Sequence, residues 1–215
     1  MPTVFEAKID GSNAIRYFHI SLVRFYLEQA YKHSKKAKEE HEEGKLLASS
    51  VTGIIYSAMS IEAFVNEMSE DIIPKEELKD FIYLRKAYRK NKNESSVAAK
   101  ARIIFEKKLN KPLKEELLKG IEEVISLRNN LVHYKLSDLA GKYIMPPVES
   151  IPTEDGKYMT MLDFTIQPER VEPPFLQKVS GIAAANCFNS ALSLINEWGI
   201  LHGKEDNVPG LEKIV

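Results

Sequence analysis

The feature that most constrains the fold is an arginine in the middle of an apolar helical stripe. At about 100° per residue, the apolar side chains of residues 113–133 share one side of a helix. They are Leu113, Leu117, Ile121, Val124, Ile125, Leu131 and Val132. Arg128 lies at the centre of that stripe. A buried charge without a partner costs several kcal/mol, on the order of the stability of a whole domain. The arginine therefore requires an opposite charge on a neighbouring helix.

Residues 45–68 carry the complementary feature. Their apolar side chains also form one helical face, and they are Leu47, Val51, Ile54, Ile55, Ala58, Ile61 and Val65. Glu62 lies within this face, and Asn66 lies at its edge. We therefore predict that Glu62 and Arg128 face each other. Asn66 and Asn129 would lie nearby and satisfy the remaining donors and acceptors.

The rest of the chain predicts an all-α fold, an up-and-down bundle of long helices in a single domain, 1–215. Helices are expected over residues 13–43, 45–68, 74–88, 95–109, 112–133 and 173–198. Ser12 or Asn13 would cap the first helix, and Ser95 or Ser96 the fourth. Alanines 183–185 would let a neighbouring helix approach closely. Residues 138–174 are proline-rich and read as an irregular insertion with one hairpin, whose turn is Glu154-Asp155-Gly156.

Several classes of site are disfavoured by composition. A single cysteine, Cys187, excludes an intramolecular disulfide and a cysteine-based zinc site from one chain. The histidines at 19, 33, 41 and 202 show no metal-ligand pairing, so we expect no metal and no cofactor. The chain start lacks a secretory pattern, and no stretch approaches the roughly 18 to 20 apolar residues that span a bilayer. We therefore expect a cytoplasmic protein without a membrane partner.

A strongly basic segment occupies residues 85–114, with eleven Lys or Arg residues against two acids, although the chain as a whole has a net charge of −1. Such a segment could attract phosphates. It could equally be a solvated helical face whose lysine stems cover apolar surface. The RNA-binding candidates at its start are Arg85, Lys86, Arg89, Lys90 and Lys92.

His133 follows Arg128 by five residues, in the sequence Arg128-Asn129-Asn130-Leu131-Val132-His133. On an ideal helix the two side chains would be about 140° apart. They could act together only if the helix ends or unwinds near His133, or if a second chain supplies another copy. The six residues resemble the Arg, polar residue, three variable positions, His signature of the HEPN superfamily. Residues 56–67, "YSAMSIEAFVNE", are similar to the helix that carries a glutamate and an asparagine in many bacterial members.

The resemblance covers about residues 13–135 and the last helix, and the 138–174 insertion is longer than the compact family pattern. It implies a homodimer whose Arg-His motifs meet in one cleft. It also implies a metal-independent endoribonuclease of the toxin or defence type, with RNA as substrate. His133 would be the general acid or base, Arg128 would stabilise charge on the phosphate, and Asn129 would orient the phosphate or the imidazole. An antitoxin or a nucleotidyltransferase-type protein would be its partner.

Two alternatives remain open. Many proteins of this superfamily are non-catalytic modules, so the chain could instead bind RNA, a nucleotide or a protein. It could also be a purely structural helical dimer, in which the Glu62–Arg128 pair fixes the register of two helices and His133 lies near the carbonyl end of its helix.

Overall fold

The computed structural model describes residues 3–19, 21–82, 93–135, 140–145, 147–162, 165–173, 175–201, 208 and 210–215. They form two compact units, one from Met1–Val132 with Val179–Val215 and the other from His133–Lys178. The described helices of the first unit are α1 (Val23–Glu39), α2 (Glu43–Ile72), α3 (Lys75–Ile82), α4 (Ser96–Leu109), α5 (Glu115–Val132) and α6 (Gly181–Leu201). The chain is therefore mostly helical, in agreement with the all-α prediction.

The first helix begins ten residues later than predicted. Residues before it form an antiparallel hairpin of β1 (Thr3–Asp10) and β2 (Asn13–His19). Asp10 is paired with Asn13 across the turn, and Gly11 has a φ of 60°, a conformation that glycine adopts without strain. Neither Ser12 nor Asn13 caps a helix. Ile15 and the aromatic residues of β2 fit a strand as well as a helix, and the glycine turn decides between them.

The core of the first unit lies where α1, α2 and α6 meet. Ser34 of α1 is fully buried, and its hydroxyl donates a hydrogen bond to the Ala184 carbonyl of α6 at 3.0 Å. A Cβ placed on Gly53 of α2 would lie 2.5 Å from Ser34 Oγ and 3.3 Å from Ala184 Cβ. The three helices therefore approach too closely for a side chain at Gly53. The close approach predicted for alanines 183–185 is confirmed at Ala184.

The middle helices follow the predicted order. Ser95 caps α4, because its hydroxyl accepts a hydrogen bond from Ala98 N at 3.2 Å. α3 begins directly after Pro74, and the part of that predicted helix beyond Ile82 lies outside the described residues. α5 begins three residues after Pro112, so this proline precedes the helix and does not belong to its first turn.

The last helix also begins later than predicted. A 3-10 helix, Leu176–Lys178, follows the prolines at 173 and 174, and α6 then begins at Gly181. Ser180 provides the cap, because its hydroxyl accepts a hydrogen bond from Ala183 N at 3.1 Å. A side-chain cap therefore sets this start, and the proline pair does not.

α2 is the longest described helix, at 30 residues. Within the described chain, its segment Gly44–Ile72 is long and apolar enough to cross a membrane by length and composition alone, contrary to our expectation that no stretch approaches this limit. A core helix of a bundle meets the same criteria. In its most apolar window, 44% of the residues are buried. Most of the remaining residues of α2 are half-buried, so part of this helix is only partly covered by the described chain.

The described residues of the second unit form two small antiparallel sheets. In one, β3 (Lys142–Ile144) pairs with β6 (Glu169–Val171), and in the other β4 (Pro147–Pro152) pairs with β5 (Tyr158–Leu162). The hairpin expected around Glu154-Asp155-Gly156 is confirmed, with Gly156 at a φ of 77° in its turn. This unit contains the segment that the sequence marks as an insertion.

Candidate functional site

Arg128 and Glu62 form the ion pair that the sequence predicts. Arg128 projects from the last turns of α5, and its Nη2 contacts Oε1 of Glu62 on α2. The Arg128 side chain is 24% exposed and that of Glu62 is 32% exposed. Neither side chain points freely into bulk water. The Arg128 side chain nevertheless keeps about a quarter of its surface accessible to solvent.

The pair lies at the wall of a polar cleft of about 600 Å³. Three parts of the chain supply its lining: α2, the start of α4 with the residues before it, and α5 from its middle onward. Besides Glu62 and Arg128, the lining residues are Asn93, Glu94, Ser95, Ser96, Val97, Glu122, Ile125, Ser126, Asn129 and Asn130. Asn129 therefore lies in the same cleft as Arg128, as predicted. Asn66 is exposed and is not part of this lining.

A second buried ion pair borders the cleft. Arg102 of α4 and Glu94 are both less than a tenth exposed, and they meet through two contacts, Nε to Oε1 at 3.0 Å and Nη2 to Oε2 at 3.2 Å. Glu106 Oε2 lies 3.5 Å from Arg102 Nη1. This pair is not among the contacts that the sequence predicts. The available indication was that Arg102 lies between Ala98 and Phe105 on the apolar face of α4, in the way that Arg128 lies on α5.

Glu122 holds the start of α4 against α5. Its Oε1 accepts a hydrogen bond from Ser95 N at 2.8 Å. Each of the three carboxylates of the cleft therefore has a donor: Arg128 for Glu62, Arg102 for Glu94, and the Ser95 amide for Glu122. Arg128 is the one cation among the described lining residues. Arg128 is therefore the side chain of the described lining that could bind an anionic group by charge.

The motif histidine lies just beyond the helix. α5 ends at Val132, and His133 is exposed and is the first residue of the second unit. The separation of about 140° on an ideal helix therefore does not apply to His133. Within the described part of the chain, neither Asn66 nor Asn129 makes a hydrogen bond to the ion pair.

The basic segment contributes less free charge than its composition indicates. Arg85, Lys86, Arg89, Lys90 and Lys92 lie outside the described residues. Further along the segment, three cations contact carboxylates: Arg102 contacts Glu94, Lys107 contacts Glu77 at 2.8 Å, and Lys114 contacts Glu197 at 2.9 Å. These contacts favour the interpretation of a helical face over that of a phosphate-binding surface for residues 102–114.

Neither a metal site nor an activated thiol is found among the described residues. In the described residues no three His, Cys, Asp or Glu side chains are grouped as a metal site requires. Cys187 is buried in α6, and burial, followed by the nearby Glu123, raises the pKa of its thiol to about 12. A thiol that stays protonated is a poor nucleophile and a poor metal ligand.

Comparisons with known proteins find no matching family model, no matching curated protein and no matching solved structure. The function must therefore be inferred from the residues and geometry of the cleft.

Proposed function

We propose that this chain is a HEPN-type, homodimeric, metal-independent endoribonuclease of the toxin or defence type. The observation that carries the proposal is the position of Arg128, which is held by Glu62, faces a polar cleft and is still 24% exposed. The end of α5 directly before His133 supports it, because the histidine is released from the helical register. The proposal also includes a cytoplasmic location and an antitoxin or nucleotidyltransferase-type partner.

The chemistry is an internal transfer at one phosphate of RNA. The 2′-oxygen attacks the adjacent phosphorus and loses its proton, and the bond to the 5′-oxygen of the next nucleotide breaks. The leaving 5′-oxygen takes up a proton, and the products are a 2′,3′-cyclic phosphate and a 5′-hydroxyl. His133 would remove or supply one of these protons, because an imidazole changes its charge near neutral pH. The 2′-hydroxyl is itself the nucleophile, so no metal-bound water is required.

Arg128 would stabilise the negative charge that grows on the phosphate oxygens. A guanidinium has five N–H donors in a planar fork. The contact with Glu62 engages Nη2, and the other N–H donors would be available to a phosphate. Asn129 lines the same cleft and offers an amide to orient the phosphate or the imidazole. Glu62 acts as the positioning residue for Arg128.

The dimer would form through the partly covered side of α2. Ile55, Met59 and Ala63 recur at helical spacing and are only partly buried. An apolar face of this kind is typical of a protein–protein interface. A second copy on the same face would cover these side chains, and its own motif would then lie close to the first. Two Arg-His motifs would contribute to one cleft.

The proposal is tested by incubating the purified protein with single-stranded RNA in EDTA and identifying the ends of the fragments. We expect cleavage with 2′,3′-cyclic phosphate ends, and no cleavage of the DNA of the same sequence. Arg128→Ala and His133→Ala should each lower the rate by about 10² to 10⁴. Matched controls are Arg170→Ala and His41→Ala, which remove an exposed arginine and an exposed histidine outside the cleft. Absence of cleavage by the wild type, or equal cleavage by motif and control variants, would remove the enzymatic proposal.

A non-catalytic interaction module is the second candidate, and one observation favours it. Three carboxylates and a single guanidinium line the cleft, so the bound group could be a neutral or cationic side chain of a partner protein. In that case wild-type RNA would stay intact, while Glu62→Gln and Arg128→Ala would weaken capture of the partner. A purely structural dimer predicts neither cleavage nor capture, and only a loss of stability in these variants.

A further inference from the structure

Four rings line the outer side of the groove between α1 and α2. This ring row consists of Phe25, Tyr26 and His33 of α1 and Tyr56 of α2. The Phe25 and Tyr26 centroids are 5.6 Å apart, and those of Tyr26 and Tyr56 are 6.0 Å apart. His33 stacks on Tyr56 at 6.3 Å with an interplanar angle of 18°. These rings form a continuous aromatic surface and do not belong to the core.

The ring row is accessible to a ligand. Phe25 is 48% exposed, and the other three rings are only partly buried. Aromatic side chains usually bury most of their area in a core or an interface, so an accessible row of four needs a reason. The cleft at Arg128 does not use any of them, because none is among its lining residues.

Lysines accompany the rings along α1. Lys32 and Lys36 are exposed, and on a helical wheel they fall within about 20° of Phe25. Neither has an ion pair within the described part of the chain. Glu28, a nearby acid of α1, already contacts Arg24 at 2.7 Å. Lys32 and Lys36 lie about 6 Å apart along the helix axis, and they place two positive charges on the exposed surface beside Phe25.

His33 is suited to stack as a neutral ring. Burial lowers the pKa of His33 below its usual value, and the charges of Lys32 and Lys36 lower it further. Near neutral pH the imidazole is therefore uncharged, and its face is free of the strong hydration of an imidazolium. The row thus offers neutral ring faces, with the positive charge placed beside them on flexible side chains.

We propose that the ring row, with Lys32 and Lys36 beside it, binds single-stranded RNA outside the cleavage cleft. Unpaired bases stack on aromatic rings whatever their sequence, and lysines contact the phosphates between them. In a duplex the faces of the bases are covered by stacking on neighbouring base pairs. The ring row would therefore bind unpaired strands in preference to duplexes. The inference concerns binding and does not require that the Arg128 cleft cleaves RNA.

The test uses an oligouridine with 2′-O-methyl groups and a terminal fluorophore, at a length of about 12 nucleotides, which is within the usual site sizes of single-strand binders. Such a strand lacks the 2′-hydroxyl nucleophile, so binding is measured without cleavage, by fluorescence anisotropy. We expect saturable binding that Phe25→Ala weakens at least about fivefold, the factor that corresponds to losing about 1 kcal/mol of stacking on one base.

The lysines are tested through the salt dependence. Lys32→Ala with Lys36→Ala should reduce the slope of log affinity against log salt by about 1.4, since each phosphate contact of a single strand contributes about 0.7. The matched control is Lys75→Ala with Lys79→Ala on α3, which removes two exposed lysines with the same spacing elsewhere. Ile182→Ala, which removes an exposed apolar side chain of α6, is the control for Phe25→Ala. Both controls should leave affinity and slope unchanged.

Three results would overturn the proposal. One is no binding by the wild type, or wild-type affinity in Phe25→Ala. Another is an equal effect of the α1 and α3 lysine pairs, which would mean unlocalised charge attraction. The third is a shift of Phe25→Ala from dimer to monomer in sedimentation, because a second copy would then cover the rings. None of these results tests cleavage at Arg128. If the protein binds the strand but does not cleave RNA, the binding proposal for the ring row is retained.

Discussion

Uncoupling Glu62 from Arg128 tests the contact on which the candidate site depends. The perturbation is a double-mutant cycle with Glu62→Gln, Arg128→Met and both together. Each single variant leaves one charged side chain at the wall of the cleft without its opposite charge, whereas the double variant removes both charges. The coupling energy of the cycle therefore isolates the pair.

The expected coupling follows from the exposure of the two side chains, 32% for Glu62 and 24% for Arg128. Fully exposed pairs are worth about 0.2 to 1 kcal/mol. Breaking a buried pair costs about 3 to 5 kcal/mol, because one charge is left without compensation. The pair lies between these limits, so we expect a coupling of about 2 kcal/mol. The contact between Arg24 and Glu28 provides the control cycle, because its side chains are 59% and 46% exposed and four residues apart on one helix. It should give only about 0.3 to 0.5 kcal/mol.

The assay is urea unfolding followed by the fluorescence of Trp198, the only tryptophan of the chain, which is buried in α6 between Phe64 and Phe105. All variants must be measured at the same protein concentration, since association of two copies adds to the apparent stability. A coupling for Glu62 and Arg128 below about 0.5 kcal/mol, or equal to that of the control cycle, would refute the reasoning.

Three further predictions follow from other side chains of the first unit. Glu94→Gln should lower the free energy of unfolding in urea by about 3 kcal/mol, because it removes the paired charge from buried Arg102; a loss under about 1 kcal/mol would contradict this. Since the pKa of His33 is lowered in the folded state, the unfolded chain binds this proton more readily, and stability is lost as pH falls through about 6.5. His33→Phe should therefore lose less stability than the wild type between pH 7 and 5, and identical pH profiles would argue against this. Cys187 should resist a thiol reagent in the native protein and react fully in denaturant, and rapid native labelling would contradict its burial.

The sequence predicts the central contact because both partners violate the same simple rule. Glu62 and Arg128 each lie on an apolar helical face, where a charge without a partner is costly. The sequence therefore predicts that these two opposite charges contact each other. The same rule applied to Arg102 indicates a buried arginine on α4. It does not identify the partner, because Glu94 lies in a polar stretch before the helix, where periodicity carries no information.

A side-chain cap makes the start of α4 predictable but not that of α6, because the prolines at 173 and 174 indicate an earlier start than the Ser180 cap does. The hydroxyl of Ser95 fixes the start of α4. The first helix was placed too early, because apolar residues of β2 match helical and strand spacing over so short a stretch. The local turn at Gly11 overrules the pattern. The exposure of the ring row could not be predicted, since it depends on which face of α1 packs on α2 and α6.

Gly53 links the buried interior to the outer rings. It allows α1 and α2 to come close, and Tyr56 lies one turn further along α2, where it meets His33, the neighbour of Ser34. A larger residue at 53 would wedge the two helices apart and slide their aromatic faces out of reach of one another. The spacing of the rings in the ring row therefore depends on Gly53, a buried residue that does not itself belong to the surface.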